Sequence, residues 1–465
     1  MTRYSVAAGQ VISQDEISGI FNKIQNGTDF DINIGRAIYP TGFTSTRFQN
    51  AVNSIPDGGV VCLSAATYSL ATTISVKKSC LILGQWSNLD RFFPAVNAPS
   101  AGTRIICRAT TAFTVGSTVG GPIFGLSRVF ISGRDAADEP LPDTTFSTGA
   151  GVSINNTTRL CIFDDVQVHR KRDGIHLNPG VGEINRVYIN RVAFSYNYHG
   201  FHHEAATTFR YLTISNLEGY LNQKGLLIAA PAYDIVAYRI DDEASGWNLT
   251  DASTTSPIEI TVAQDCYLSR VTIDGSKGTA AGPSRALVAL GFSDYAFASI
   301  DNIQLIGAKN DGLLLFGSAV RYNFTVSGVY AGKNSAQSFA FRGATDSINV
   351  GVKVQNAGYG FVTNGVLYGD AVPFQNLGTG KVVVRNIDNY TTQNGGDSSI
   401  SHGTTVSHGL AMTPARIILI SQSASPRITS VKSKSESTFT VGLWNTAGSA
   451  LTAAGSTRAF WYAEV

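Results

Sequence analysis

The segment Gly174-Ile-His-Leu177 begins a motif that returns as Gly200-Phe-His-His203 and again as Gly225-Leu-Leu-Ile228. The three glycines are spaced 26 and 25 residues apart. Further copies follow at less regular intervals: Pro257-Ile-Glu-Ile260, Gly312-Leu-Leu-Leu315, Ser338-Phe-Ala-Phe341 and Gly360-Phe-Val-Thr363. A short strand that returns at a nearly fixed period is typical of a β-solenoid, in which each repeat forms one coil.

A second strand recurs upstream of the first, in the same phase. Its copies are Val166-Gln-Val168, Val192-Ala-Phe194, Leu217-Glu-Gly219, Val271-Thr-Ile273 and Ile303-Gln-Leu305. One coil cannot bury its apolar face alone, so coils must stack with their strands about 4.8 Å apart. We therefore predict an all-β fold, a right-handed parallel β-helix with coils of about 25 residues. Three asparagines fall near its turns, where this residue tolerates left-handed backbone: Asn190, Asn216 and Asn302.

The composition agrees with this fold. Of the 465 residues, 43% are hydrophobic and 15% are charged, and 47 are glycine. That hydrophobic share is normal for a folded chain, so disorder is not expected. A helical bundle would need a more highly charged outer face.

Charge and hydropathy exclude several partners. The net charge is only +2, and no long Lys/Arg run is present, so we expect neither nucleic acid nor an anionic membrane as partner. No apolar run approaches the roughly 18 residues of a membrane span. The N-terminus lacks the apolar core of a signal peptide, which predicts synthesis in the cytoplasm without Sec export. The five scattered cysteines are expected to be buried thiols.

Two short helices are predicted near the N-terminus. Ser13 and Glu16 have capping-box spacing, and the apolar residues that follow favour a helix over 15–25. A second helix is predicted over 48–55, followed by a turn and the strands of residues 59–84. This second region resembles the start of pectate-lyase-like β-helix families, which begin with a capping helix. The family's GDGxxDD motif is replaced here by TGFTSTRF.

The C-terminal region loses the solenoid period. It contains the alternating strands ARIILIS, RITSVKS, TFTVGLW and RAFWYAEV. Two stretches, Val406-Ser-His-Gly-Leu410 with Thr413-Pro414 and Phe460-Trp-Tyr-Ala-Glu464, resemble the small β-sandwich at the end of viral tail fibres and tailspikes. We expect a three-part chain: an N-terminal attachment segment over 1–45, the β-helix over 46–395 and a β-sandwich over 396–465.

The resemblance to tailspikes and tail fibres has implications beyond fold. It implies a homotrimer in the virion tail, joined to the baseplate through the N-terminal segment. It also implies binding, and often cleavage, of host surface polysaccharide. Two alternatives remain: a non-catalytic receptor-binding or structural fibre protein, and a free pectate-lyase-like enzyme, which the missing export signal disfavours.

The solenoid also indicates where a glycan site would lie, because outward residues of successive coils form columns. The sequence alignment gives three columns: Gln167, Ala193, Glu218, Arg239, Thr272 and Gln304; His169, Ser195, Tyr220, Asp241, Asp274 and Ile306; and His176, His202, Leu227 and Glu259. Polar and ionisable side chains therefore concentrate between residues 169 and 274. The insertion DDEASGWNLTDASTTS adds Trp247, whose ring would suit a sugar face.

Paired carboxylates are what glycoside hydrolysis requires, one as acid and the other as nucleophile or base. We predict Glu218, Asp241 and Asp274 as catalytic, with Asp241 and Asp274 one rung apart and Glu218 diagonal to Asp241. The predicted substrate-binding residues are Arg239, His176, His202, Glu204, Tyr220, Trp247 and Glu259. A lyase would instead use Arg239 or the histidines as base and charge neutraliser, so hydrolysis and elimination both stay open.

No cofactor and no metal site are expected. The sequence His202-His203-Glu204 is tempting, but on a strand these neighbours alternate between opposite faces. A zinc site needs two histidines on one face and a third ligand. Nucleotide-binding glycine motifs are also missing from the sequence.

Overall fold

A computed structural model describes most of the chain from residue 37 onward. The described residues are 37–85, 102–107, 110–116, 121–133, 147–155, 158–178, 184–204, 209–220, 222–243, 256–274, 286–306, 311–317, 321–332, 350–367, 372–388, 393–408, 410, 413–423, 427–435, 438–450 and 457–464. The helix predicted over 15–25, the repeat at Ser338 and the loop with Trp247 lie outside them.

The predicted capping helix is confirmed as α1, Ser45–Ser54. Thr44 is its N-cap and accepts a hydrogen bond from the backbone N–H of Arg47. The buried face includes Phe48, and the centroid of its ring lies 5.6 Å from the ring centroid of Phe113 in the solenoid core. The helix therefore covers apolar side chains of the first coils.

Within the described ranges, the body is one parallel sheet of 23 strands wound into a β-helix, as the repeat predicted. The strands are β1 Ala37–Ile38, β2 Gly59–Cys62, β3 Thr67–Ser69, β4 Ile74–Val76, β5 Cys80–Leu83, β6 Arg104–Ile106, β7 Phe113–Val115, β8 Ile123–Ser132, β9 Ser147–Ile154, β10 Leu160–His169, β11 Lys171–Leu177, β12 Ile184–Ser195, β13 His199–His203, β14 Phe209–Tyr220, β15 Lys224–Glu243, β16 Ile258–Asp274, β17 Ala286–Ile306, β18 Asp311–Gly317, β19 Arg321–Gly332, β20 Val350–Val354, β21 Ala357–Leu367, β22 Val372–Asn376 and β23 Val382–Asp388.

Each central coil has three faces. Face A comprises residues 160–164, 184–190, 209–215, 232–238, 263–269 and 297–301. Face B comprises 166–169, 192–195, 217–220, 240–243, 271–274 and 303–306. Face C comprises 173–177, 199–203, 224–228, 258–260, 286–292 and 311–317. Face A leads into face B through one bend residue.

The core is built from inward columns that run across the coils. One column on face C contains Val152, Ile175, Phe201, Leu226, Ile258, Val288, Leu313, Val352 and Phe374, none more than 3% exposed. This register confirms the alignment of the motifs at Gly174, Gly200, Gly225, Pro257 and Gly312. The alignment of Gly360 was wrong, because Gly360 pairs with Phe324 and Val382 on face A.

A column of residues with left-handed backbone conformation makes the bend between faces A and B. It contains Arg128, Asp165, Arg191, Asn216, Arg239, Arg270, Asn302, Gly328, Asn364 and Asn386, with φ between 50° and 63°. The turn prediction is correct for Asn216 and Asn302. Asn190 lies directly beside the bend but pairs within the ladder, while Arg191 takes the left-handed conformation.

In the C-terminal part, the residues that the structure describes form two antiparallel sheets of three strands each, in the orders β24-β29-β26 and β25-β28-β27. Their bounds are β24 Gln393–Ile400, β25 Thr405–Ser407, β26 Arg416–Ser421, β27 Arg427–Lys434, β28 Thr438–Asn445 and β29 Thr457–Glu464. Phe439, Val441, Leu443 and Trp461 belong to its own hydrophobic core. The first of these strands begins at Gln393, just before the expected boundary at 396.

Two smaller expectations concern thiols and membranes. All five cysteines are free thiols; Cys80, Cys107, Cys161 and Cys266 are buried and Cys62 is half-buried. Burial raises the pKa of Cys80 and Cys266 to about 12, so these thiols are unreactive. Among the described residues, none of the helices has the length and apolar character needed to cross a membrane.

Candidate functional site

Two predicted catalytic acids are direct neighbours on face B. The register pairs Glu218 with Asp241 across adjacent strands, and both side chains face outward and are half-buried. Their column continues to Ala193 on one side and to Thr272 on the other. Adjacent strands lie about 4.8 Å apart, so the two carboxylates are close enough to act on one glycosidic bond.

The predicted positions of Arg239 and Asp241 were each wrong by two residues, whereas Asp274 lies in its predicted column beside Ile306. Arg239 is the exposed bend residue and does not occupy the Glu218 column. Asp274 pairs with Glu243, so it lies diagonal to Asp241. The cause is β15, which runs without a break through all three faces and gives no turn residue to count from.

A third acid of this stretch, Asp242, faces the core. It is 2% exposed and follows Gly219 in an inward column. A Cβ at Gly219 or Gly225 would lie within 2.5 Å of its carboxylate oxygens, so these glycines leave the space that Asp242 fills. Of the sequence neighbours Asp241 and Asp242, only Asp241 is thus available to a ligand on face B.

The second column on face B carries Tyr220, which is half-buried and pairs with Ser195 and Glu243. Next in this column, Ser195 Oγ is 3.0 Å from His169 Nδ1, and both residues are buried. Tyr220 therefore lies beside the Glu218–Asp241 pair on the same face.

Two buried asparagines fix the corner between faces B and C. The side chain of Asn197 accepts from the backbone of Lys171 at 2.9 Å and donates to the Val168 carbonyl at 3.0 Å. One coil later, Asn222 accepts from the Asn197 backbone and donates to the Phe194 carbonyl. This ladder holds the first residues of face C in a set register with face B.

Face C holds a cluster of histidines and carboxylates that unites three predicted binding residues. The Nδ1–H groups of His199 and His202 donate to one oxygen, Asp173 Oδ1, at 2.6 and 3.0 Å. His176 Nε2–H donates to Glu204 Oε1 at 3.0 Å. The His176 and His202 rings stack with centroids 4.8 Å apart. The cluster thus joins strands β11 and β13 of adjacent coils.

Burial sets the electrostatics of this cluster. Burial lowers the pKa of His199 to about 4, although its hydrogen bond to Asp173 opposes part of this shift. Burial also lowers the pKa of His176. Burial raises the pKa of Asp173, but the hydrogen bonds from His199 and His202 outweigh it, leaving that pKa well below its usual range. At neutral pH the cluster therefore contains neutral His176 and His199 rings and an ionised Asp173.

Two further ionisable residues of face C, His203 and the predicted Glu259, lie in different environments. His203 faces the core between Leu177 and Ile228, so the expected alternation with His202 is confirmed. Burial lowers the pKa of His203 to about 4. Glu259 is buried, and its Oε2 lies 3.3 Å from Lys224 Nζ. That ion pair connects Glu259 to the coil of Lys224.

Face A presents an unforeseen surface of aromatic side chains near the acid pair. Tyr238 and Tyr267 are 37% and 43% exposed, and the guanidinium of Arg270 lies 5.1 Å from the Tyr238 ring centroid. Asp234 pairs with Asp265 on the same face; partial burial and then the Asp265 charge raise the pKa of Asp234. Tyrosine on an exposed strand was the available sequence signal, but the alignment followed only faces B and C.

Comparisons with known proteins give fold likeness only. No family model and no curated relative matches the chain. ORF18 of Geobacillus virus E2 is 12% identical with a TM-score of 0.42, over 97% of this chain and 82% of that one. The Dettilon tailspike gp208 is 11% identical with a TM-score of 0.38, over 93% and 95%. Tailspike gp49 of the Acinetobacter baumannii phage Fri1, a capsular polysaccharide depolymerase, is 11% identical with a TM-score of 0.29, over 92% and 86%. All three are distant likenesses, with TM-scores below 0.5.

Proposed function

We propose that this protein is a virion tail component that binds host surface polysaccharide and cleaves it by glycoside hydrolysis. The observation that carries the proposal is the register pair Glu218–Asp241, two half-buried outward carboxylates on adjacent rungs of a rigid face. One carboxyl donates a proton to the leaving oxygen while the other attacks the anomeric carbon. A separation near 5 Å favours the retaining mechanism.

Residues around the bend suit the binding of an extended glycan. Tyr238 on face A, Arg239 at the bend and Asp241 on face B follow one another around the outside of a single coil. An exposed tyrosine ring packs against a sugar face, and the arginine pairs with acidic or hydroxyl groups of the glycan. Tyr220 completes the contacts on the far side of the acid pair.

Hydrolysis is favoured over elimination by the placement of the basic groups. A lyase needs its base and its carboxylate-neutralising group around one sugar. Arg239 lies at the bend between faces A and B, whereas His176 and His202 lie on face C, beyond the asparagine corner. The histidines and Glu204 therefore take no part in the proposed reaction.

The test is the double variant Glu218→Gln/Asp241→Asn, incubated with a panel of bacterial and archaeal surface polysaccharides. Wild-type protein is expected to release reducing ends without unsaturated uronates from at least one polymer. The double variant should lose about 10²–10⁴-fold in rate and keep its melting temperature. Asp301→Asn, an exposed acid on face A, is the matched control.

Three outcomes would contradict parts of the proposal. Unsaturated uronates would indicate a lyase. Full activity of the double variant would remove the acid pair from catalysis. Binding without cleavage across the panel would favour a receptor-binding fibre protein.

A further inference from the structure

The part of face C around His202 brings three metal-binding side chains together. His176 and His202 pair in register on adjacent coils, and their ring planes differ by only 10°. Glu204 follows directly after β13 and returns its carboxylate to His176. One ligand atom of each of the three residues lies within 4.8 Å of the others. Two histidines on one face and a third ligand, the requirement named above, are thus present.

The donor set determines which ion it suits. Two imidazoles and one carboxylate bind zinc in open sites and other divalent transition metals as well. Ligand atoms around a tetrahedral zinc are about 3.3 Å apart, given bonds of about 2.0–2.2 Å. The Nε2–Oε1 distance of 3.0 Å already approaches that spacing. Glu204 has a 44% exposed side chain, so its carboxylate can rotate onto an ion without moving the backbone.

Asp173 supplies the outer support that such a site needs. A histidine that binds a metal usually donates its other ring N–H to a carboxylate, which fixes the ring. His202 Nδ1 makes this bond to Asp173, leaving Nε2 for an ion, and His199 holds the same carboxylate oxygen in place. A simple His176–Glu204 hydrogen bond would need neither the parallel rings nor the carboxylate behind His202.

We propose that His176, His202 and Glu204 bind one divalent transition-metal ion of the zinc class, with Asp173 as a positioning residue. The ion connects coil 171–177 to coil 199–204, so binding stabilises the folded chain. The site lies on face C and the acid pair on face B, so each can be tested without the other.

The experiment is calorimetric titration of the untagged full chain with ZnCl2, NiCl2, MgCl2 and CaCl2. Zinc and nickel should bind with one equivalent, while magnesium and calcium should not, because hard cations need oxygen ligands. His202→Gln and the double variant His176→Gln/Glu204→Gln should weaken zinc binding at least about 100-fold. Asp173→Asn should weaken it about 10–100-fold. His402→Gln, a histidine of the C-terminal domain, is the matched control and should bind as wild type.

Melting curves with and without zinc separate lost ligands from lost folding. Zinc should raise the melting temperature of wild type and of His402→Gln but not that of the double variant, whose metal-free curve should stay cooperative. Failure of wild type to bind zinc at about 100 μM would overturn the site. Undiminished binding by His202→Gln would also overturn it, and undiminished binding by Asp173→Asn would overturn the positioning role.

Discussion

Lys171 is a charged side chain without solvent contact at the start of face C. It is 0% exposed, and its ammonium group donates to the carbonyls of Cys107, Thr110 and Thr148 at 3.0, 2.7 and 2.9 Å. Burial lowers its pKa, against smaller opposing contributions from Cys107 and Asp173. The ammonium thus donates to the buried carbonyl of Cys107 and to two part-buried carbonyls.

Replacement of this residue gives the first prediction. Lys171→Met keeps the aliphatic stem but removes the donors to three carbonyls, so we expect the free energy of unfolding to fall by about 2–4 kcal/mol. Urea denaturation measures the change. Arg172→Met, at the exposed neighbouring position, should stay within about 0.5 kcal/mol. Equal midpoints for the two variants would show that Lys171 is dispensable.

Asp311 gives a prediction of pH dependence. It is 5% exposed, with Oδ2 3.1 Å from Lys353 Nζ, and burial raises its pKa more than Lys353 lowers it. A pKa that is higher in the folded state contributes stability below the unfolded pKa of about 3.9, and that contribution is lost as pH rises through the folded pKa. The free energy of unfolding of Asp311→Asn, relative to that of wild type, should therefore rise as the pH increases from about 3.5 to about 7. A stability difference that does not change with pH would contradict this.

At the scale of elements, the bend column decides how faces A and B meet. Left-handed backbone costs roughly 1–2 kcal/mol for a residue with a Cβ, and asparagine and glycine bear it best. Asn302 has φ 51°, is exposed, and is followed in its column by Gly328 at φ 63°. The bend thus stores strain wherever arginine occupies it, as at Arg191 and Arg239.

Substitution at Asn302 tests this strain. Asn302→Val should lower the free energy of unfolding by about 1–2 kcal/mol, whereas Asn302→Gly should change it by less than about 0.5 kcal/mol. Denaturant midpoints of the two variants give the comparison. Asn323→Val, at an exposed ladder position of face A, should be tolerated. Equal denaturant midpoints for the valine and glycine variants would show that the backbone at Asn302 is not strained.

The sequence predicts these elements unevenly, for physical reasons. Glycine spacing locates face C, because each glycine precedes an inward apolar residue. Counting residues from one turn to the next fails inside β15, because this strand spans Lys224–Glu243 without a break. The predicted positions of Arg239 and Asp241 are therefore wrong. Asp173 and His199 are missed because each lies before the glycine where the motif begins. The contact of Asp173 with His202 crosses coils, and only the register reveals it.

At the scale of the whole molecule, the described residues contain two main hydrophobic cores. One runs through the solenoid from Phe48 to Ile387, and the other lies between the C-terminal sheets from Ile400 to Ala463. Outside the second core, Ile420 and Phe460 pair across strands β26 and β29 while 60% and 50% exposed. Paired apolar side chains in water favour association.

The resemblance of the C-terminal motifs to tail fibres implies a homotrimer, and this exposed pair is where we expect subunits to meet. Light scattering after size-exclusion chromatography of the full chain should give three times its mass of 49.4 kDa. Ile420→Ser/Phe460→Ser should shift the protein towards monomer, because burial of these side chains supplies about 1.5–3 kcal/mol each. Ile123→Ser, an exposed apolar residue of the solenoid, is the control. A wild-type monomer would contradict the trimer, and a double variant that stays trimeric would place the interface elsewhere.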